Sequence, residues 1–185
     1  MTTGYCQRSA GTGCIALLAL MMCSDPIRAA AQNSDRPSPV VDIITRVVSD
    51  PTTYVPAALA YEAHHLDWKS SQVFFQHGFL EHNGEFTLSG RPDDTPVSYR
   101  AGNRTIVASG FAVLGTSLVH NVSGALIERL LVERYPGHRR LLRRLGWIER
   151  IAFASYLSYR QSAGHVRQWR SNERLARQLG YQQEK

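Results

Sequence analysis

The chain has 185 residues, enough for one ordinary domain, and only 19% of them are charged, below the usual quarter for soluble domains. Its net charge of +6 is uneven: residues 1–127 sum to −2 and residues 128–185 to +8, with arginine supplying 12 of the 13 positive charges in the second part. All three cysteines, Cys6, Cys14 and Cys23, fall in the first 23 residues without metal or CxxC spacing, which excludes a disulfide scaffold or a cysteine metal centre further along.

Arg8 precedes an uncharged stretch, 9–24, whose core at 14–23 has the length of a signal-peptide apolar region and falls short of the roughly 20 residues of a typical span. Pro26 follows, and Ala29 and Ala31 offer small side chains for signal peptidase, with cleavage before Gln32. Residues 1–31 are therefore read as a signal peptide, or as an anchor if uncleaved. Residues 32–53 carry Pro37, Pro39 and Pro51 and read as an extended polar linker, with a short apolar piece at 40–48.

Pro56 suits the first turn of a helix over 56–77, which Gly78 loosens or ends. Residues 82–104, rich in Gly, Pro and Asp, show no sustained period and read as loop. The longest uncharged run, 105–127, has 23 residues. At a rise of 1.5 Å per residue it is long enough to cross a hydrocarbon core of roughly 30 Å. Within it Ala108, Ala112, Thr116, His120 and Gly124 recur every fourth residue, a small-residue stripe that another helix can approach closely. Ser109, Ser117, His120 and Asn121 dilute the run, so a soluble core helix is the competing reading.

A basic connection over 133–145 turns at Pro136-Gly137, and its five arginines from Arg134 to Arg144 predict a cytoplasmic position. A further helical piece is expected over 146–160, spanning or lying in the interface. The tail from 166 sets Trp169, Leu175 and Leu179 among Arg167, Arg170, Arg174 and Arg177, a basic amphipathic pattern. The expected architecture is all-α: a small helical bundle over 54–165, partly membrane-embedded, followed by the tail 166–185.

The densest chemistry lies between Glu62 and Asn83. On a helix Asp67, Ser71, Phe74, His77 and Glu81 share one side, provided the helix continues through Gly78. Imidazole and carboxylate at this spacing make His64, Asp67, His77 and Glu81 candidate metal ligands, although no HExxH motif is present. The plainer reading is a hydrogen-bonded structural cluster of Asp67, Ser71, His77, Glu81 and Asn83.

This stretch resembles a family of small, uncharacterised bacterial membrane proteins. Their first helix carries Asp, Thr four residues later, then Gly, Glu and an Asn-Pro pair. Asp67, Ser71, Gly78, Glu81 and Asn83 take those places, with Ser for Thr and Gly84 where the proline stands, which puts a rigid helix exit in doubt. The resemblance covers about 60–165 and implies that Asp67 and Glu81 face a helix bundle rather than lipid. It implies no reaction.

No GxSxG, P-loop or dinucleotide fingerprint is present, and no cofactor is implied. The leading expectation is a non-catalytic helical protein of the bacterial inner membrane, of structural or interaction type. Its expected partners are membrane lipids and a second helix docking along Ala108, Ala112, Thr116 and Gly124. A soluble periplasmic binding protein with a basic surface for an anionic partner is the runner-up, and a metal-dependent hydrolase the third reading. Nucleic acid is not an expected partner of an exported chain.

Overall fold

Ser38 opens the first helix: its Oγ accepts the Val41 N–H at 3.3 Å, and Pro39 fills a first-turn position whose N–H would have no helical partner. The computed structural model describes residues 38–181, so residues 1–31, read from the sequence as a signal peptide or anchor, the three cysteines within them, residues 32–37 and residues 182–185 lie outside the described residues. These form an all-α bundle, 83% helical, with four α-helices and no strands.

Helix α1, Pro39–Ser49, occupies much of the stretch that reads as an extended linker. The prolines misled, because Pro39 starts the helix and Pro51 begins a 3-10 turn, Pro51–Thr53, just beyond it; neither interrupts a helical interior. Ile43 and Val47, one turn apart, bury against Ala125.

Helix α2, Val55–Gln76, ends at Gly78. That glycine adopts φ +83°, a left-handed conformation that costs a residue with a Cβ. The Gly78 N–H donates to Phe75 O and the Phe79 N–H to Phe74 O, both at 3.1 Å, while the Phe79 ring packs edge-on to Phe74. The chain therefore turns away here, and Glu81 does not extend the helical stripe of Asp67. The loop that follows is pinned by two isolated β-bridges, Glu81 to Asp94 and Thr87 to Pro96. A 3-10 turn, Gly84–Phe86, drives Phe86 onto Trp68 and Ile106.

Helix α3, Tyr99–Arg134, starts at Ser98, whose Oγ accepts the Ala101 N–H at 3.3 Å. A 3-10 turn, Pro136–His138, reverses the chain into α4, Arg139–Leu179. From Arg139 onward the basic connection, the helical piece at 146–160 and the tail as far as Leu179 are thus one helix of 41 residues. Nothing between 139 and 179 removes a backbone donor, since no proline occurs there, and arginine is a good helix former. Helix α4 packs most extensively on α2, α3 lies against both, and α1 crosses α3 near its C-terminal end. Gly102 of α3 lets the Trp68 indole lie against the helix: a Cβ there would collide with the ring, and Trp68 Nε1 donates to Tyr99 O at 3.2 Å.

Among the described residues α3 is the one helix long and apolar enough to cross a membrane, and 22% of its most apolar stretch is buried in the bundle. The small-residue stripe is split: His120 and Gly124 are half-buried against α4, where His120 pairs with Glu149 and stacks on Phe153, and its first three members lie outside the packed face. Ala108, Ala112 and Thr116 are exposed, while Gly102, Ile106, Val113, Ser117, Asn121, Ala125 and Glu128 face inward.

Candidate functional site

Where α2 and α4 lie side by side beneath the 77–98 loop, they border a cavity of about 500 Å³ that is open to one side. Residues His165, Gln168, Asn172 and Leu175 follow helical spacing and present one face of α4 to it. From α2 come His64, Asp67, Trp68 and Ser71, and the loop contributes Phe79, Glu81 and Phe86.

Asp67 is the hub. Its Oδ2 accepts the His165 Nδ1–H at 2.8 Å, and Asn172 Nδ2 lies 3.5 Å from Oδ1. The Asn172 amide also donates to Ser70 Oγ at 3.1 Å and Ser71 Oγ at 3.0 Å. Both hydroxyls in turn donate to the Asp67 backbone carbonyl, at 2.8 Å and 3.0 Å. Gln168 Nε2 closes the network on Asn172 Oδ1 at 2.9 Å. A half-buried carboxylate is tolerable because every neighbour offers it, or its helix, a proton. His64 meets the His165 ring edge-on, with centroids 3.6 Å apart.

The remaining residues singled out in the sequence are distributed differently. His77 Nδ1–H donates to Val73 O at 2.7 Å and its ring stacks on Tyr181, so it stands apart from Asp67. Glu81 lines the cavity from the loop, where its Oε1 accepts the Asn83 N–H at 2.7 Å. Burial pushes the Glu81 carboxyl above the usual range; the Asn83 hydrogen bond opposes this and the Asp67 charge reinforces it. Asn83 caps the 3-10 turn, its Oδ1 accepting the Glu85 N–H at 3.1 Å. Asp67 and Ser71 thus belong to a structural polar cluster, but its other members are Ser70 beside them and His165, Gln168 and Asn172 on α4.

The three on α4 carried a signal that the arginines of the tail obscured: uncharged polar residues at three- and four-residue spacing on one side of a basic helix. Their partners lie about a hundred positions earlier, a pairing that spacing does not encode.

The geometry also limits the chemistry. Among the described residues no three His, Cys, Asp or Glu side chains are grouped so as to hold a metal ion. His64, Asp67, His77 and Glu81 therefore do not form a ligand set, because the Gly78 turn moves Glu81 off the helix and His77 is engaged at the helix end. Asp67 and His165 make an acid–imidazole pair, but Ser71 Oγ is committed to Asp67 O and Asn172, not to the imidazole, so the arrangement is not a nucleophilic triad.

A second polar cluster ties the opposite end of the bundle together. Glu128 accepts from Arg46 Nη2 at 2.8 Å and from Arg150 Nη1 at 3.1 Å, and Arg150 Nε lies 3.1 Å from Asp50 Oδ2. Burial alone would raise the Glu128 carboxyl, but the hydrogen bonds from Arg46 and Arg150 and their charges outweigh it and hold the group below its ordinary value. Nearby, Asn121 Nδ2 donates to Thr53 Oγ1 at 2.8 Å and Thr52 Oγ1 at 3.1 Å, and Thr53 Oγ1 donates to Val47 O. In comparisons with protein-family models, curated proteins and solved structures, the chain matches none.

Proposed function

We propose that this is a non-catalytic helical protein of the bacterial inner membrane, of structural or interaction type, with α3 crossing the bilayer over residues 105–127. The observation that carries this is the polarity of α3. Ser117 and Asn121 are 1% exposed and Glu128 5%, while Phe111 is 68% exposed, Val119 64% and Ile127 58%. A core helix of a water-soluble bundle does the reverse, because exposed apolar area forgoes about 25 cal/mol per Å² of hydrophobic stabilisation. Lipid removes that penalty and favours polar groups that satisfy one another inside. The same trend continues on neighbouring helices, where Val40, Ile44 and Val48 of α1 and Trp147, Ile148 and Ile151 of α4 are exposed.

The exposed stripe of Ala108, Ala112 and Thr116 then offers a close-approach face to a further helix within the bilayer. Orientation does not follow from charge. Because α4 is one helix, Arg167, Arg170, Arg174 and Arg177 stand at the other end of the bundle from Arg139 to Arg144, and the positive-inside tendency has arginines to count on both sides.

Fractionation of expressing cells tests the proposal. The full-length protein is expected in the membrane pellet after an alkaline carbonate wash, and in solution only with detergent. Recovery in the soluble periplasmic fraction would overturn it in favour of an exported binding protein, which the exposed arginines of α4 would then serve.

A further inference from the structure

The walls of the cavity between α2 and α4 combine three kinds of group. Trp68, Phe74, Phe75, Phe79 and Phe86 supply aromatic surface, Asp67 and Glu81 supply carboxylates, and His64, His82 and His165 supply imidazoles, of which His165 is paired with Asp67 and His82 with Asp93 outside the cavity lining. Among the described residues no lysine or arginine lines it. The four arginines of the adjoining part of α4, Arg167, Arg170, Arg174 and Arg177, are all exposed, while the face turned to the cavity carries His165, Gln168 and Asn172.

From this juxtaposition we propose that the cavity binds an organic ammonium ion with an apolar body, its charge held by Asp67 and Glu81 and its body against Trp68 and Phe86. The inference goes beyond the membrane reading and stands without it.

Five features select this class. An aromatic face attracts a cation through its quadrupole and offers an anion nothing comparable. The carboxylates have acceptor capacity to spare: Glu81 uses only Oε1 among the described residues, and Asp67 takes one short hydrogen bond, at Oδ2. Glu81 also sits in a place that penalises its own charge, half-buried and facing the Asp67 charge, which a bound cation relieves. A volume of about 500 Å³ suits a small organic molecule rather than a bare metal ion. Trp68 and Phe86, centroids 5.0 Å apart and buried together with Ile106, form a wall that is in place before any ligand arrives.

The test uses three probes of one shape: 2-phenylethylammonium, neutral 2-phenylethanol and anionic phenylacetate. Each is titrated by calorimetry into the full-length protein in lipid nanodiscs, with empty nanodiscs subtracting partition into lipid. The ammonium is expected to bind saturably and at least about ten-fold more tightly than the alcohol, and phenylacetate not to bind. Glu81→Gln and Asp67→Asn are each expected to cut that preference about five-fold or more, leaving the affinity for the alcohol unchanged. Glu81→Gln lies on the loop outside the Asp67 network and decides the matter if Asp67→Asn does not fold. Absence of saturable ammonium binding, an alcohol that binds as tightly, tighter binding of phenylacetate, or a preference that survives Glu81→Gln would each overturn the proposal. A protein that fractionates as soluble is titrated in buffer with the same outcomes, so failure here and failure of the membrane reading are told apart.

Discussion

Glu128 is the buried carboxylate on which three helices converge, through Arg46 of α1 and Arg150 of α4. Removing its charge leaves Arg150, which is itself largely buried, with Asp50 as its remaining carboxylate partner, whereas Arg46 can recover water. Glu128→Gln is therefore expected to cost about 2 kcal/mol of stability, below the usual loss for a fully buried pair. The folded group titrates below its ordinary value of 4.5, so its contribution is complete above that pH and is lost as pH falls through the folded value. Chemical unfolding between about pH 6 and about pH 3 should show a steeper acid loss in the native chain than in Glu128→Gln. Equal slopes would remove Glu128 from the account. At this scale the sequence was legible where a residue's partners are local. Asp67 and Ser71 stand four apart on an unbroken helix and do end up together. His77 fits the same stripe but lies past the last helical residue, Gln76, and its partner at Tyr181 comes from the far end of the chain.

Among the elements, the helical class, the helix beginning near Pro56, the break near Gly78 and the long apolar helix could all be read, since each depends on period, proline or glycine. Two boundaries could not. Proline marks both helix starts and linkers, and only the packing of Ile43 and Val47 on Ala125 decides for α1. In α4 the change from basic to aromatic and back to basic reads as three pieces, yet a helix continues through any composition whose backbone donors are intact. The docking of α2 on α3 rests on Gly102, which no period reveals. Gly102→Ala forces a Cβ into a rigid indole that is already buried and hydrogen-bonded. We expect a loss of about 1–3 kcal/mol, with Trp68 fluorescence shifted toward that of a solvated indole. Unchanged melting and emission would show that the contact is dispensable.

For the molecule as a whole, α3 buries Ser117, Asn121 and Glu128 in its second half while leaving Phe111, Val119 and Ile127 exposed, and this distribution gives the membrane reading a direct topological consequence. The 77–98 loop and the 136–138 turn lie near opposite ends of α3. Single cysteines at Ser89 and at His138, both exposed, in a chain whose native cysteines are replaced by serine, should react with an impermeant maleimide from opposite faces of the membrane. Labelling of both from one face would place α3 on the surface rather than across it.

Helix α4 runs from the arginine-rich turn to the roof of the cavity without a break. Its 41 residues make a rod about 60 Å long, and Asn172 sits roughly 50 Å from the turn. Tilting such a rod by about 5° about the turn swings that asparagine through about 4 Å, further than the 3.0 Å and 3.1 Å bonds joining it to α2 can stretch. The Asn172 bonds to Ser70 and Ser71 therefore hold the rod to within a few degrees of its present inclination.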